Sequence, residues 1–234
     1  MIFDWSGTLV NDLPAVWEAT NAVFRRAGAP ELTLDEFRRE FCLPFVRFYK
    51  RRLSHVDMAQ LEEWFHDAFR RVQAKIRPIP RAREFVEFCR RRGAKTLLLS
   101  SAHPAHFEDQ ARAAGFEGLL DHCYVGVRDK RDRIGRILKE HNAKPSETMF
   151  VGDMEHDIET ARAGGVCACA VLTGYNHTDQ LVAARPDLIV EHLGELQQLL
   201  DQADMDFERA RALHQSKRAS GMGAGSRPDP SDPV

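Results

Sequence analysis

MIFDWSGTLVND, residues 1–12, is the stretch that decides the fold. An apolar stub, Ile2 and Phe3, runs into Asp4 and then into a Ser-Gly-Thr turn at residues 6–8. Open α/β sheets present nucleophilic carboxylates in this way, at the carboxyl end of a strand. Only three residues precede Asp4, whereas a mean strand has about five to six. The first strand is therefore expected to be short, or the natural start to lie upstream.

Outward from that stretch, apolar runs recur at residues 96–99, 148–151, 167–172 and 188–190. Each has the length and composition of a buried parallel strand. Helical patterning separates them at residues 82–92, 107–114, 133–141 and 158–163. The alternation predicts an α/β fold, a parallel sheet with right-handed crossovers and helices on both faces. Gly93 and Gly164–Gly165 fit helix stops. Residues 14–80 break the alternation with helical patterns only, at 15–27, 34–41, 46–53 and 58–76. They read as an inserted all-helical cap, with Pro78 and Pro80 marking the return to the main domain. The expected division is a core of residues 1–13 and 81–213, a cap of residues 14–80, and a tail of residues 214–234. The tail is rich in Gly, Ser and Pro from about Lys217 and is expected to be disordered. Its GMGAG follows no strand and opens no helix, so it is not a nucleotide loop.

The 33 basic and 35 acidic residues nearly cancel and are interspersed, which argues against a nucleic-acid partner. No apolar run approaches a membrane span, and no signal pattern opens the chain, so a cytoplasmic protein is expected. Five cysteines without a CxxC argue against a disulfide framework. Cys167 and Cys169 alternate within an apolar run, as on one face of a strand.

Phosphoryl transfer needs a nucleophile, a divalent cation, donors around the phosphoryl oxygens and proton management. Candidates for each occur at strand ends or helix starts. Asp4 is the nucleophile, and Thr8 lies in the following turn that Gly7 permits. Ser100 and Ser101 end the run at residues 96–99. Lys130 opens a helical stretch and stands 23 residues before Asp153, among Arg128, Arg131 and Arg133. Asp153 and Asp157, in TMFVGDMEHDIETARAGG, follow an apolar run and can converge on one Mg²⁺. Taken singly, each has a plainer reading: a turn or helix cap for the hydroxyls and carboxylates, a solvated basic face for Lys130.

Together, in this order, the four motifs resemble those of the haloacid dehalogenase-like hydrolase superfamily. The resemblance covers roughly residues 1–200, and the closing stretch VLTGYNHTDQLVAARPDLIVEHLGELQQLL is similar to phosphoglycolate phosphatase-type members. It implies a Rossmann-like core and a mobile helical cap that selects the substrate. It also implies Mg²⁺ held by Asp4, the Ser6 carbonyl and Asp153, with Asp157 beside them. Asp4 would form an aspartyl-phosphate on a small phosphorylated metabolite, with Ser100 and Lys130 binding the phosphoryl group. Arg47 and Lys50, in the cap, are candidates for gripping a substrate carboxylate. A monomer or homodimer is expected.

The chain departs from the family at Ser6, where most members carry a second Asp as general acid and base. A serine hydroxyl is a poor acid or base at neutral pH, and losing such a group typically costs about 10²–10⁴-fold. His103 and His156 lie near the site in sequence and are candidate replacements. Asp4–Trp5 also opens the phosphonoacetaldehyde hydrolases, which cleave carbon–phosphorus bonds through a cap lysine; Phe45 stands where that lysine would align, and Lys50, five residues on, is a candidate whose plainer reading is a solvated helix face. A third reading is a catalytically impaired phosphate-binding or regulatory protein.

Overall fold

The computed structural model describes residues 1–222; the expectations for residues 223–234 lie outside it. In chain order the elements are β1 (Ile2–Phe3), β2 (Val10–Asn11), α1 (Leu13–Arg26), α2 (Leu34–Glu40), α3 (Phe45–Arg52), α4 (Met58–Val72), β3 (Arg77–Pro78), α5 (Ala82–Arg91), β4 (Leu97–Leu99), α6 (Pro104–Ala113) and β5 (His122–Tyr124). They continue with α7 (Arg131–Glu140), β6 (Met149–Gly152), α8 (Glu155–Gly164), β7 (Cys167–Val171), α9 (Thr178–Ala184), β8 (Leu188–Val190), α10 (Leu193–Gln202) and α11 (Phe207–Met222).

Six strands form one parallel sheet in the order β5-β4-β1-β6-β7-β8. The chain builds outward from β1 to β5 on one side, then returns to place β6 against the other side of β1. Loops leaving β1 and β6 therefore diverge, and the crevice between them is where open α/β sheets bind ligands. Asp4 follows β1 directly and Asp153 follows β6 directly. Short as it is, β1 is held on both edges, with Ile2 and Phe3 paired to Leu97 and Leu98 on one side and to Phe150 and Val151 on the other.

Alternation along the strands supplies both faces of the sheet. Phe3, Leu98, Val151 and Val171 pack with Phe85, Val86 and Cys89 of α5 and the leucines of α10. Ile2, Leu97, Leu99 and Phe150 pack with Ile134 and Ile137 of α7 and Ile158 of α8. Phe3 meets Phe85 edge-on, with centroids 5.9 Å apart. Each fully buried aromatic or branched side chain of this kind contributes roughly 1.5–3 kcal/mol.

Helices α1 to α4 carry a third core, built from Val23, Phe24, Phe37, Phe48, Leu53 and Leu61 and joined by Met154 and Tyr175 from beyond the helices. Their starts follow from local chemistry. Thr33 and Glu36 close a reciprocal capping box at α2, and Asp57 accepts from the Ala59 amide at α4. The antiparallel pair β2–β3 ties the two ends of this helical stretch together, Val10 against Pro78. Arg38 of α2 donates to the Tyr175 and Asn176 carbonyls at 2.9 and 3.2 Å, fastening the helices to the loop after β7.

One expectation needs correction. Residues 214–222 are helical, the second half of α11, rather than disordered. His214 anchors the segment: it is buried, and its Nε2 lies 2.6 Å from the Ile189 carbonyl oxygen on β8. All five cysteines are free; Cys169 is buried and Cys167 half-buried. No helix among the described residues is long and apolar enough to cross a membrane.

Candidate active site

The turn after β1 is tight. The amides of Leu9 and Val10 both donate to the Trp5 carbonyl, at 2.8 and 3.1 Å, and Gly7 takes φ +72°. Strand alternation turns Trp5 away from Asp4 and into the core. There its Nε1 donates to Gln110 at 2.7 Å and its ring meets Phe107 and Phe116 edge-on. The buried indole thus anchors the residue next to Asp4.

Asp4 itself is 3% exposed, and Lys130 Nζ, with no exposure at all, lies 2.7 Å from its Oδ1. The same ammonium donates to Asp157 Oδ1 at 2.7 Å. Lys130 is the residue just before α7, so the helix start sets its stem and the strand ends supply its partners. Burial works against its charge, and the two carboxylates, Asp157 first, hold it above its ordinary value. Arg128, one of its rivals in the sequence, points to solvent.

Asp153 receives the Thr8 hydroxyl on Oδ1 at 2.8 Å and the Tyr175 amide on Oδ2 at 2.7 Å. Asp157 has two tasks. Its Oδ1 takes Lys130, while its Oδ2 accepts the Asp153 and Met154 amides at 3.2 and 3.0 Å. Asp157 therefore both caps the start of α8 and pairs with Lys130.

Asp4, Asp153 and Asp157 each offer one carboxylate oxygen, all within 4.8 Å of one another. Burial, opposed chiefly by Lys130, pushes Asp4 up to about 6, and burial together with repulsion from Asp4 and Asp157 raises Asp153 well above the usual carboxylate range. Three buried carboxylates against one ammonium leave an excess of negative charge in a dry place. The donors are hard oxygens, as Mg²⁺ prefers. This set fits a divalent cation.

The sign of the pH dependence follows. A carboxylate raised on folding contributes stability that is complete below its unfolded value and is lost as pH rises through the folded one. Asp4 thus favours the metal-free fold most below about pH 4 and loses that contribution as pH rises through about 6, and Asp153, raised well above the usual carboxylate range, acts in the same direction. A bound cation offsets that loss. Saturation at about 100-fold over Kd contributes ~2.7 kcal/mol, a melting rise of roughly 5–10 °C at this size. Mg²⁺ should therefore raise the melting temperature at pH 7.5 and much less at pH 5, as read by differential scanning calorimetry. Equal shifts at both pH values, or none, would contradict the cation site.

Glycines let the loops close on Asp153. A Cβ on Gly174 or on Gly7 would fall inside the van der Waals envelope of the Asp153 carboxylate. Thr173 also donates to the Gly7 carbonyl at 2.7 Å, locking the two loops together. Gly174→Ala must push that carboxylate aside. Since about 1 Å of misplacement can cost around 10²-fold, a fall of that order in kcat is expected, and unchanged kcat in saturating metal would contradict it.

Not every candidate joins this group. Ser100 is buried at the end of β4, where its Oγ accepts the Ala102 amide at 3.2 Å; Ser101 is half-exposed beside it. Arg47 and Lys50 lie exposed on α3 with no side-chain bond to Asp4, Lys130, Asp153 or Asp157. His156 Nε2 faces Asp129 Oδ1 at 3.1 Å, and the His103 ring lies tilted against His66 and His106, centroids 4.6 and 5.4 Å away. Neither imidazole touches Ser6. What does touch Ser6 is Asp12, whose Oδ2 accepts the Ser6 hydroxyl at 2.7 Å while its Oδ1 accepts the Tyr175 hydroxyl at 3.0 Å. Burial, only partly offset by these two bonds, pushes Asp12 up to about 6. Neither Asp12 nor Tyr175 stood out in the sequence.

Residues 1–165 match the family model of the haloacid dehalogenase-like hydrolases. The chain belongs to that family. This hydrolase is 28% identical over 212 residues to the phosphoglycolate phosphatase of Synechococcus elongatus, covering 86% of the chain and 97% of the relative. It is 24% identical over 227 residues to phosphoglycolate phosphatase 1 of Pseudomonas aeruginosa, covering 87% and 80%. Among solved structures, a hydrolase from Pseudomonas syringae superposes with a TM-score of 0.72 at 22% identity, covering 86% of this chain and 97% of that one. At that identity the superposition speaks for the fold alone.

Proposed function

We propose that this hydrolase is a Mg²⁺-dependent phosphohydrolase of small phosphorylated metabolites, with Asp4 as the nucleophile. One observation carries the reading: Asp4 and Asp157 pair with the buried ammonium of Lys130, and Asp153, from the strand end next to that of Asp4, brings a carboxylate oxygen within 4.8 Å of theirs. A lysine placed against a nucleophilic carboxylate compensates the negative charge that a phosphate dianion brings, which would otherwise repel the attack.

Asp4 attacks phosphorus through the carboxylate oxygen not paired with Lys130, the leaving oxygen departs with its bonding pair, and water then attacks the aspartyl-phosphate at phosphorus. Ser100, at the end of β4, supplies a hydroxyl for a phosphoryl oxygen. Asp4, Asp153 and the Ser6 carbonyl would hold Mg²⁺, with Asp157 adjoining. A bound Mg²⁺ supplies charge neutralisation and orients the phosphoryl group. Helices α1 to α4, fastened through Arg38 and packed on Tyr175, form the cap that shields the reaction from bulk water. The names borne by the relatives make 2-phosphoglycolate the first substrate to try.

The test is phosphate release from para-nitrophenyl phosphate and from a panel of metabolite phosphates that includes 2-phosphoglycolate, with and without Mg²⁺. Metal-dependent release is expected; its absence across the panel would overturn the reading. The carbon–phosphorus reading requires a lysine at the site, and the exposure of Lys50 does not favour it.

A further inference from the structure

Asp12 is a buried carboxylate with no basic partner. Among the described residues no Lys, Arg or His pairs with it; it accepts two hydroxyls and is 3% exposed. Burying such a group is costly unless something compensates. Helix capping does not. Asp12 occupies the N-cap of α1, where an Asp side chain ordinarily accepts the N2 or N3 amide, yet its side chain makes no such bond. It reaches back six residues to Ser6 instead. The turn at residues 5–10 and the β2–β3 pair bring it there. Tyr175 fixes the carboxylate from the other side, and the backbone amide of the same residue holds Asp153.

We propose that Ser6 and Asp12 act as one unit in place of the single acid/base carboxylate that the family carries at position 6, with Ser6 meeting the reacting oxygens and Asp12 the positioning residue behind it. The inference rests on the phosphohydrolase reading above. A hydroxyl that donates to Asp12 keeps its lone pairs free for a second donor. For the first half-reaction a protonated Asp12 reverses this bond: its Oδ2–H donates to Ser6 Oγ, the Ser6 hydroxyl turns to the leaving oxygen, and the Oδ2 proton passes to Ser6 Oγ as the Ser6 proton passes to the leaving oxygen. The P–O bond to the leaving group breaks, and its electron pair goes to that oxygen. In the second, the attacking water gives one proton to Ser6 Oγ as Ser6 returns its own to Asp12. The new O–P bond forms, and the electron pair of the bond to Asp4 returns to the Asp4 carboxylate. Asp12 ends as it began.

The experiment compares wild type, Ser6→Ala, Asp12→Asn, the Ser6→Ala/Asp12→Asn double variant, and the exchanged Ser6→Asp/Asp12→Ser variant on an alkyl and an aryl phosphate with Mg²⁺. Asp12→Asn keeps the size and the Tyr175 contact, and thermal melting verifies that each variant folds. Loss of acid/base function is worth about 10²–10⁴-fold, so kcat on the alkyl phosphate should fall by about 10²-fold or more in either single variant, with KM little changed. The double variant should lose no more than either single, since the two act as one unit. The exchanged variant, with a carboxylate restored at position 6, should recover most of the loss. Overturning results are kcat of Asp12→Asn within about threefold of wild type, or losses in the two singles that multiply in the double. Asp4→Asn separates this inference from its foundation. If it abolishes turnover while Asp12→Asn does not, only the relay fails. Wild type inactive on every phosphate overturns both.

Discussion

Asp4→Asn abolishes phosphate release. The substitution keeps the shape of the side chain and its place at the end of β1, but an amide is not a nucleophile towards phosphorus. Removing a covalent nucleophile leaves only binding and electrostatic catalysis, so a fall in kcat of about 10⁴-fold or more is expected. Folding should survive and even improve. The wild-type carboxylate is buried and raised to about 6, so its ionisation at neutral pH costs free energy that a neutral amide does not. The variant should therefore melt no lower than wild type in the absence of metal and should gain less from Mg²⁺. Kinetics with para-nitrophenyl phosphate and melting with and without Mg²⁺ check both halves. Residual turnover within tenfold of wild type, with a full Mg²⁺ shift, would remove Asp4 from the chemistry.

The largest loss of stability falls on Lys130→Met. Methionine retains much of the buried stem and removes the charge that faces Asp4 and Asp157 at 2.7 Å each. Breaking a buried ion pair from one side costs about 3–5 kcal/mol, because the remaining charge is left uncompensated. Here two carboxylates are left. Urea unfolding of the metal-free variant at pH 7.5 should show a loss in that range. The loss should shrink at pH 5, where Asp4, already raised by burial, takes up a proton once Lys130 is gone. Adding Asp157→Asn to the variant should restore part of the stability by removing one of the two charges. A loss below about 1 kcal/mol, typical of a surface pair, would contradict the burial and pairing of Lys130. Activity should fall as well, since the phosphate dianion would then approach Asp4 unscreened.

These two residues were legible in the sequence because their positions carry physical constraints. Asp4 ends an apolar run, and Asp153 ends another; strand ends on the carboxyl side of a parallel sheet converge. Lys130 was separable from Arg128, Arg131 and Arg133 by its spacing to Asp153, and it alone of the four is fully buried. The buried strands β4, β6, β7 and β8 announced themselves through continuous apolar residues, chiefly Leu, Val, Ile and Phe in β4, β6 and β8 and Cys and Ala in β7. Strand β5, His122–Tyr124, did not, because it is an edge strand with no apolar run. The β2–β3 pair is two residues per strand and too short for any period to register.

Asp12 was hidden by a plausible lesser role. An Asp directly before Leu-Pro at a helix start reads as an N-cap, and only the direction of its side chain shows that it caps nothing. Tyr175 was hidden because its partners lie 163 and 22 residues away. His103 and His156 erred the other way. Closeness in sequence suggested them, but His103, just before α6, faces other histidines and His156, on α8, faces Asp129. Arg47 and Lys50 share that lesson: an exposed face of α3 gives basic residues no direction towards the site.

Rapid mixing with para-nitrophenyl phosphate and Mg²⁺, acid quenching, borohydride reduction and peptide mapping by mass spectrometry tests the central claim most directly. An acyl phosphate on Asp4 is reduced to homoserine at position 4, so the account predicts that product in the peptide containing residues 1–12, formed during turnover and absent from Asp4→Asn. Full turnover by wild type with an unmodified Asp4, or with the acyl phosphate on another carboxylate, would contradict it.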